Sequence, residues 1–279
     1  MTTLPALDTA PLFPVLHQHL LDLLQSLTPA DWHRPTVCRG WSIKDITAHL
    51  LDGQLRQISR YRDHYQAPDG PVITSYADLV QYLNKLNHDW VVATRRLSPA
   101  LLVSMLAQTG PEVQALLTAL DPDEPALFSV AWAGETTSPN WFHVAREYTE
   151  QWHHQQQIRL ALGQTEPLLR PALYHPLLDT FMRALPHTYR HTDAPAGTGV
   201  AITVTGDGGG TWWLQRTETA WQLRADAPPG VATTVQIDGP MAWRLVTKGL
   251  SAGEQAQCVT IAGDRALGQP VLGMTAVMA

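Results

Sequence analysis

The apolar residues of this chain change their period partway along, and that change limits the fold more than any other feature. Through the first ~165 residues they recur at helical spacing. From Val200 onward they fall into short β-like runs. Helices first and strands afterwards, without strict alternation, predicts two domains rather than one doubly wound sheet. The expectation is an all-α helical bundle over residues 1–167 and a small α+β domain over 168–279.

Within the helical part, Leu12, Val15, Leu16, Leu20, Leu23 and Leu24 repeat on one face, and Thr28-Pro29 closes that segment. Ser42, followed three residues later by Asp45, has the form of a capping box and opens a second helix. Its stripe is Ile43, Ile46, Leu50 and Leu51, with Arg56, Arg60, Arg62 and Asp63 marking a wetter end. The run from Ala67 to Pro71 is a loop. A third helix is expected from Tyr76 to Leu97 with Ser75 as its cap. Ser98-Pro99 starts a fourth, which Gly110-Pro111 is expected to interrupt. The last strong helix spans Asn140 to Leu162, and Gly163 terminates it.

A short helix around Ala172 to Leu185 precedes the strands. These are expected at 200–204, 211–214, 220–223, 233–237 and 258–261, with a helix over 240–248 and a final one from about Arg265 to the end. The run from Asp207 to Gly210 reads as a hairpin link. It is no phosphate loop, because no Lys-Ser/Thr pair follows it.

Bulk properties narrow the function. A net charge of −6 and no basic run longer than Arg95-Arg96 argue against nucleic acid as a partner. Mean hydropathy is −0.13, and no apolar stretch approaches the ~20 residues of a membrane span. Residues 1–9 hold neither a basic segment nor an apolar run, and there are two cysteines, Cys38 and Cys258. A cytoplasmic protein is therefore expected, as a monomer or homodimer. Twelve histidines are many for this length, so the position of each matters.

Glu150 and His154 are four apart on the last bundle helix and project from one face, where they can share a ligand. His143 and Glu147 offer an alternative pair on roughly the same face. His49 lies in the most apolar part of the second helix, and a buried imidazole needs a hydrogen-bond or metal partner. His49, Glu150 and His154 would form a His-Glu-His set with positions left for water or substrate, the pattern of a catalytic zinc. The competing reading is a core histidine bonded to a carbonyl, with Glu150 paired to Arg146. His153 points about 100° from His154 on a helix, which suits a surface position or one behind the ligands. Cys38 lacks a nearby His–Asp partner and reads as a packing residue.

Two segments resemble a known family. The run from Cys38 to Leu50, with Gly40-Trp41, Asp45 and His49-Leu50, is similar to a signature of the DinB-like superfamily. The helix holding Arg146, Glu150 and His154 resembles that of its branch related to mycothiol-dependent maleylpyruvate isomerase. Gly239 to Leu250, then Val259 to Leu267, resembles the sterol-carrier-like α+β domain that ends the branch.

The resemblance implies a four-helix bundle holding one divalent ion, commonly zinc and sometimes nickel, on His49, Glu150 and His154. It also implies a low-molecular-weight thiol as cosubstrate and a small electrophile as substrate, in a transferase or isomerase reaction. A non-catalytic metal- or small-ligand-binding protein and a metal-dependent hydrolase are the alternatives. Arg146 and Arg244 are candidate catalytic cations for the polar body of the thiol, with Lys248 beside Arg244; salt bridging or plain solvation would equally account for them. Gln155, Gln156 and Gln157 follow His154 where relatives often carry an acid, so the resemblance supplies no acidic partner for that imidazole.

Overall fold

The computed structural model describes residues 4–65 and 70–277. It contains the expected helical bundle followed by a small α+β domain. The chain folds into two compact units that alternate along the sequence: Thr9–Glu124 with Glu150–Thr165, and Met1–Asp8 with Pro125–Thr149 and Glu166–Ala279.

The helical unit contains α1 (Phe13–Gln25), α2 (Ile43–Tyr61), α3 (Tyr76–Thr94), α4 (Pro99–Thr118) and the second half of α5 (Asn140–Leu162). Its core joins Leu20, Leu23 and Leu24 of α1 to Ile43, Ile46, Leu50 and Leu51 of α2, Leu102 and Leu106 of α4, and Ile158 of α5. The stripes anticipated on α1 and α2 are largely these residues, although Val15 is exposed and Phe13 takes the buried place. Leu102 and Leu106 are fully enclosed, and truncating either to Ala would cost about 2–5 kcal/mol. Trp90 of α3 donates its indole N–H to the Ala48 carbonyl at 2.7 Å.

Helix starts follow local sequence closely. Ser42 and Asp45 form a full capping box, Ser75 accepts from the Asp78 amide, and Ser98 accepts from the Leu101 amide. Two expectations need correction. α3 ends at Thr94, short of Leu97. Gly110-Pro111 does not interrupt α4, which continues through both residues. Buried Leu102, Leu106, Val113 and Leu117 hold the helix on either side, which compensates for the hydrogen bond that Pro111 cannot make. Gly110 instead marks a close approach, since a Cβ there would lie 2.2 Å from two ring atoms of His17 on α1. The expected Ala67–Pro71 loop lies largely outside the described residues.

The second unit is built on a five-stranded sheet: β1 (Thr198–Val204), β2 (Gly210–Arg216), β3 (Trp221–Arg224), β4 (Gly230–Ile237) and β5 (Val259–Gly263). The order is β3-β2-β1-β4-β5, with β1 and β4 parallel and the other neighbours antiparallel. All five lie where the alternating runs are in the sequence, and the Asp207–Gly210 link joins β1 to β2. One sheet face carries Val200, Ile202, Val204, Trp212, Leu214, Val235 and Ile237, all buried.

The expected 172–185 helix is two helices, α6 (Pro171–Met182) and α7 (Leu185–Thr188). Next comes α8 (Gly239–Val246), and Tyr174 of α6 donates to its Gly239 carbonyl. α9 (Ala252–Cys258) was not anticipated, although Ser251 and Glu254 supply its capping box. The final helix, α10 (Arg265–Gly268), does not run to the end, and a 3-10 turn over Gln269–Gly273 replaces it where Pro270 falls. No helix among the described residues is long and apolar enough to cross a membrane.

Candidate metal centre

The capping box starts α2 at a defined residue, so the helical phase of His49 is set about two turns later. Trp41, just before the cap, lies against it with ring centroids 5.2 Å apart. On α5, Glu150 and His154 share a face, and Glu150 Oε2 is 3.4 Å from His154 Nε2. The rings of His49 and His154 meet nearly edge-on with centroids 4.5 Å apart. One ligand atom from each of His49, Glu150 and His154 lies within 4.8 Å of the other two. All three belong to the helical unit.

His154 Nδ1 is 2.9 Å from Gln157 Oε1. A carbonyl oxygen only accepts, so the proton is on Nδ1 and the Nε2 lone pair faces Glu150. Two lone-pair atoms at that separation repel unless a proton or cation lies between them. His49 Nδ1 is shut off from solvent and has no hydrogen-bond partner among the described residues. Burial, reinforced by the charge His154 carries when protonated and only partly offset by Glu150, pulls the His49 pKa well below its ordinary value. His49 is therefore a neutral imidazole. Burial alone would push the Glu150 carboxyl up. When the neighbouring imidazoles are protonated, the hydrogen bond that His154 then donates and the charges of His153, His154 and His49 outweigh it and hold Glu150 below the usual carboxylate range. Two neutral imidazole lone pairs and a carboxylate make a donor set suited to a divalent ion.

The remaining candidates stand elsewhere. His153 is buried, not at the surface, with its ring centroid 4.0 Å from that of His154. Arg146 is committed within its own segment: its guanidinium reaches Glu147 Oε1 at 2.8 Å, His143 Nδ1 at 2.7 Å and the Ser129 carbonyl at 3.2 Å. His143 and Glu147 thus form a network with Arg146 rather than a second ligand pair. Arg244 closes the junction of α8 and α9 through the Gly249 carbonyl at 2.8 Å and Glu254 Oε1 at 3.0 Å. Lys248 takes a left-handed backbone there, with φ 58°. Cys38 is partly enclosed and burial raises its thiol pKa; the same holds for Cys258. Gln157 was missed by sequence reasoning, although its place three residues after His154 on a helix was a usable signal.

A family profile described as the mycothiol maleylpyruvate isomerase N-terminal domain matches residues 13–159. Among solved structures, the mycothiol-dependent maleylpyruvate isomerase and a histidine-to-alanine mutant of it are both similar over 95% of this chain and 97% of theirs. Each gives a TM-score of 0.55 at 14% identity, which shows a shared fold. No curated protein matches. With more than half of its length inside the profile, the chain belongs to the mycothiol maleylpyruvate isomerase N-terminal domain family, within the DinB-like superfamily.

Proposed function

We propose that this protein is a metal-dependent enzyme using a low-molecular-weight thiol, such as mycothiol, in a transfer or isomerisation reaction on a small electrophile. The observation that carries the reading is the meeting of His49, Glu150 and His154 donors from two helices, with a buried His49 Nδ1 that has no hydrogen-bond partner among the described residues. Those three residues would hold the ion. Zinc suits the donors best, and nickel competes by the Irving–Williams order. When bound, such an ion favours the thiolate of a coordinated thiol at neutral pH.

The chain's own residues prepare the site. Glu150 supplies the one negative charge of the donor set, and Gln157 fixes the ring of His154 so that Nε2 faces inward. Burial raises the thiol pKa of both cysteines. That supports a nucleophile brought in as a cosubstrate. A reducing cytoplasm, which keeps such a thiol reduced, is part of the same reading.

The test is elemental analysis of the purified protein beside His49→Ala, Glu150→Ala and His154→Ala, followed by thiol-dependent turnover of a test electrophile. Near-stoichiometric metal that every substitution removes, with turnover requiring both metal and thiol, is expected. A wild-type protein that neither holds zinc or nickel nor takes them up overturns the reading, and the three residues then form a buried polar network in a binding protein.

A further inference from the structure

α2 brings more to this site than His49. Gly53 follows His49 by four residues and Arg56 by seven, so all three lie on one helical stripe. A Cβ built on Gly53 meets nothing within 4 Å. Helical side chains lean toward the N-terminus of their helix, which for Arg56 is the turn that holds Asp52 and the bare Gly53. Asp52 Oδ2 lies 3.1 Å from Arg56 Nε. That ion pair is not aligned as a hydrogen bond, and neither Nη1 nor Nη2 makes a hydrogen bond among the described residues. The Arg56 side chain is 29% exposed, enough for a solute to reach it.

Charge gives this arrangement a direction. Asp52 is within electrostatic reach of both Arg56 and Arg60. The charge of Arg56 is felt at His49. A guanidinium whose charge reaches the site opposes a second cation there, and an anion spanning both removes that conflict. Arginine's planar fork fits a carboxylate through two parallel N–H donors.

We propose that Arg56, ion-paired to Asp52 and given room by Gly53, is a specificity-determining anchor for a carboxylate on the small molecule that binds at the His49–Glu150–His154 centre. This anchor rests on the metal-centre reading above. It is made by α2 alone, and it takes the role that sequence reasoning offered to Arg146 and Arg244, both of which are engaged elsewhere.

The experiment uses cobalt-loaded protein titrated with 3-mercaptopropionate and with its uncharged counterpart 3-mercaptopropan-1-ol, followed by the thiolate-to-cobalt absorption band. Wild type should bind the acid about ten-fold more tightly than the alcohol. Arg56→Gln should lose that preference while its affinity for the alcohol stays unchanged. Its cobalt content should be equal or higher, because a repelling charge has gone. Arg56→Lys should keep part of the preference, having the charge without the fork. Cobalt loading with equal affinity for acid and alcohol, or a preference that survives Arg56→Gln, overturns the anchor alone. Failure of wild type to load cobalt overturns the metal-centre reading and the anchor together.

Discussion

Replacing Gly110 by Ala sets two opposing effects against each other, and the structure determines which prevails. In an open helix interior Ala is favoured over Gly by about 1 kcal/mol. At Gly110 the new Cβ would sit 2.2 Å from both Cε1 and Nε2 of His17 and 2.8 Å from Cδ2. His17 is only 6% exposed, so the ring cannot swing out without opening the packing of α1 on α4. Overpacking of this kind costs about 1–3 kcal/mol. Gly110→Ala should therefore destabilise the protein by about 1 kcal/mol, despite its better helix propensity. In a His17→Ala background the obstruction is gone, and the same change should stabilise by up to about 1 kcal/mol. A double-mutant cycle read by urea unfolding, with far-ultraviolet circular dichroism as the signal, measures the coupling. Equal stabilisation by Gly110→Ala in both backgrounds would refute the claim that this glycine is there for helix approach.

Gln157→Leu should weaken metal affinity by about 10–100-fold, since His154 loses the group that holds its tautomer, and Gln157→Glu should restore or exceed the native affinity; competition with a chromophoric chelator reads both. Ser42→Ala should cost about 1 kcal/mol by removing the α2 cap, visible as a lower urea midpoint, and should fray the turn leading to His49. Burial lowers the His17 pKa from 6.5, so below that value the unfolded chain binds more protons than the folded one. Stability should then fall as pH drops from about 6.5 toward the lowered folded value and stay flat with respect to this group above 6.5. The acid slope should be shallower in His17→Leu, and an unchanged slope would contradict the assignment.

Helix starts were the most legible part of the fold because they depend on two or three adjacent residues. Ser42 with Asp45, Ser75, and Ser98 before Pro99 each mark a start to the residue. Strands were legible from alternation, and β1 to β5 fall on the expected runs. What local pattern could not show was tertiary. Gly110-Pro111 looks like a break until His17 is seen packed on it, and the enclosure of His153 depends on the whole fold around α5. For the site, the i,i+4 spacing indicated that Glu150 and His154 share a face, and the apolar surroundings of His49 singled it out. That the three donors meet is a product of the bundle, and no spacing within one helix contains it. Arg56 read as part of a wet helix end because its partner Asp52 is buried by packing. The commitments of Arg146 to the Ser129 carbonyl and of Arg244 to Glu254 likewise fall outside the i,i+3 and i,i+4 spacings that a single helix displays.

The alternation of the two compact units along the chain bears on how the protein is made. As synthesis proceeds from the N-terminus, α1 to α4 emerge first, yet Glu150 and His154 belong to a segment that appears only after residues 125–149 have left the ribosome. Those 25 residues find their own partners later still: Tyr148 donates to the Leu173 carbonyl at 2.7 Å, and Trp132 and Phe142 are buried. A nascent chain stopped near residue 165 would have all three candidate donors while its aromatic Trp132, Phe142 and Tyr148 waited for the sheet unit, leaving them to chaperones or to aggregation. A fragment trimmed to the boundaries of the matched profile should accordingly be poorly soluble when expressed alone, and should recover when residues 166–279 are supplied as a second chain.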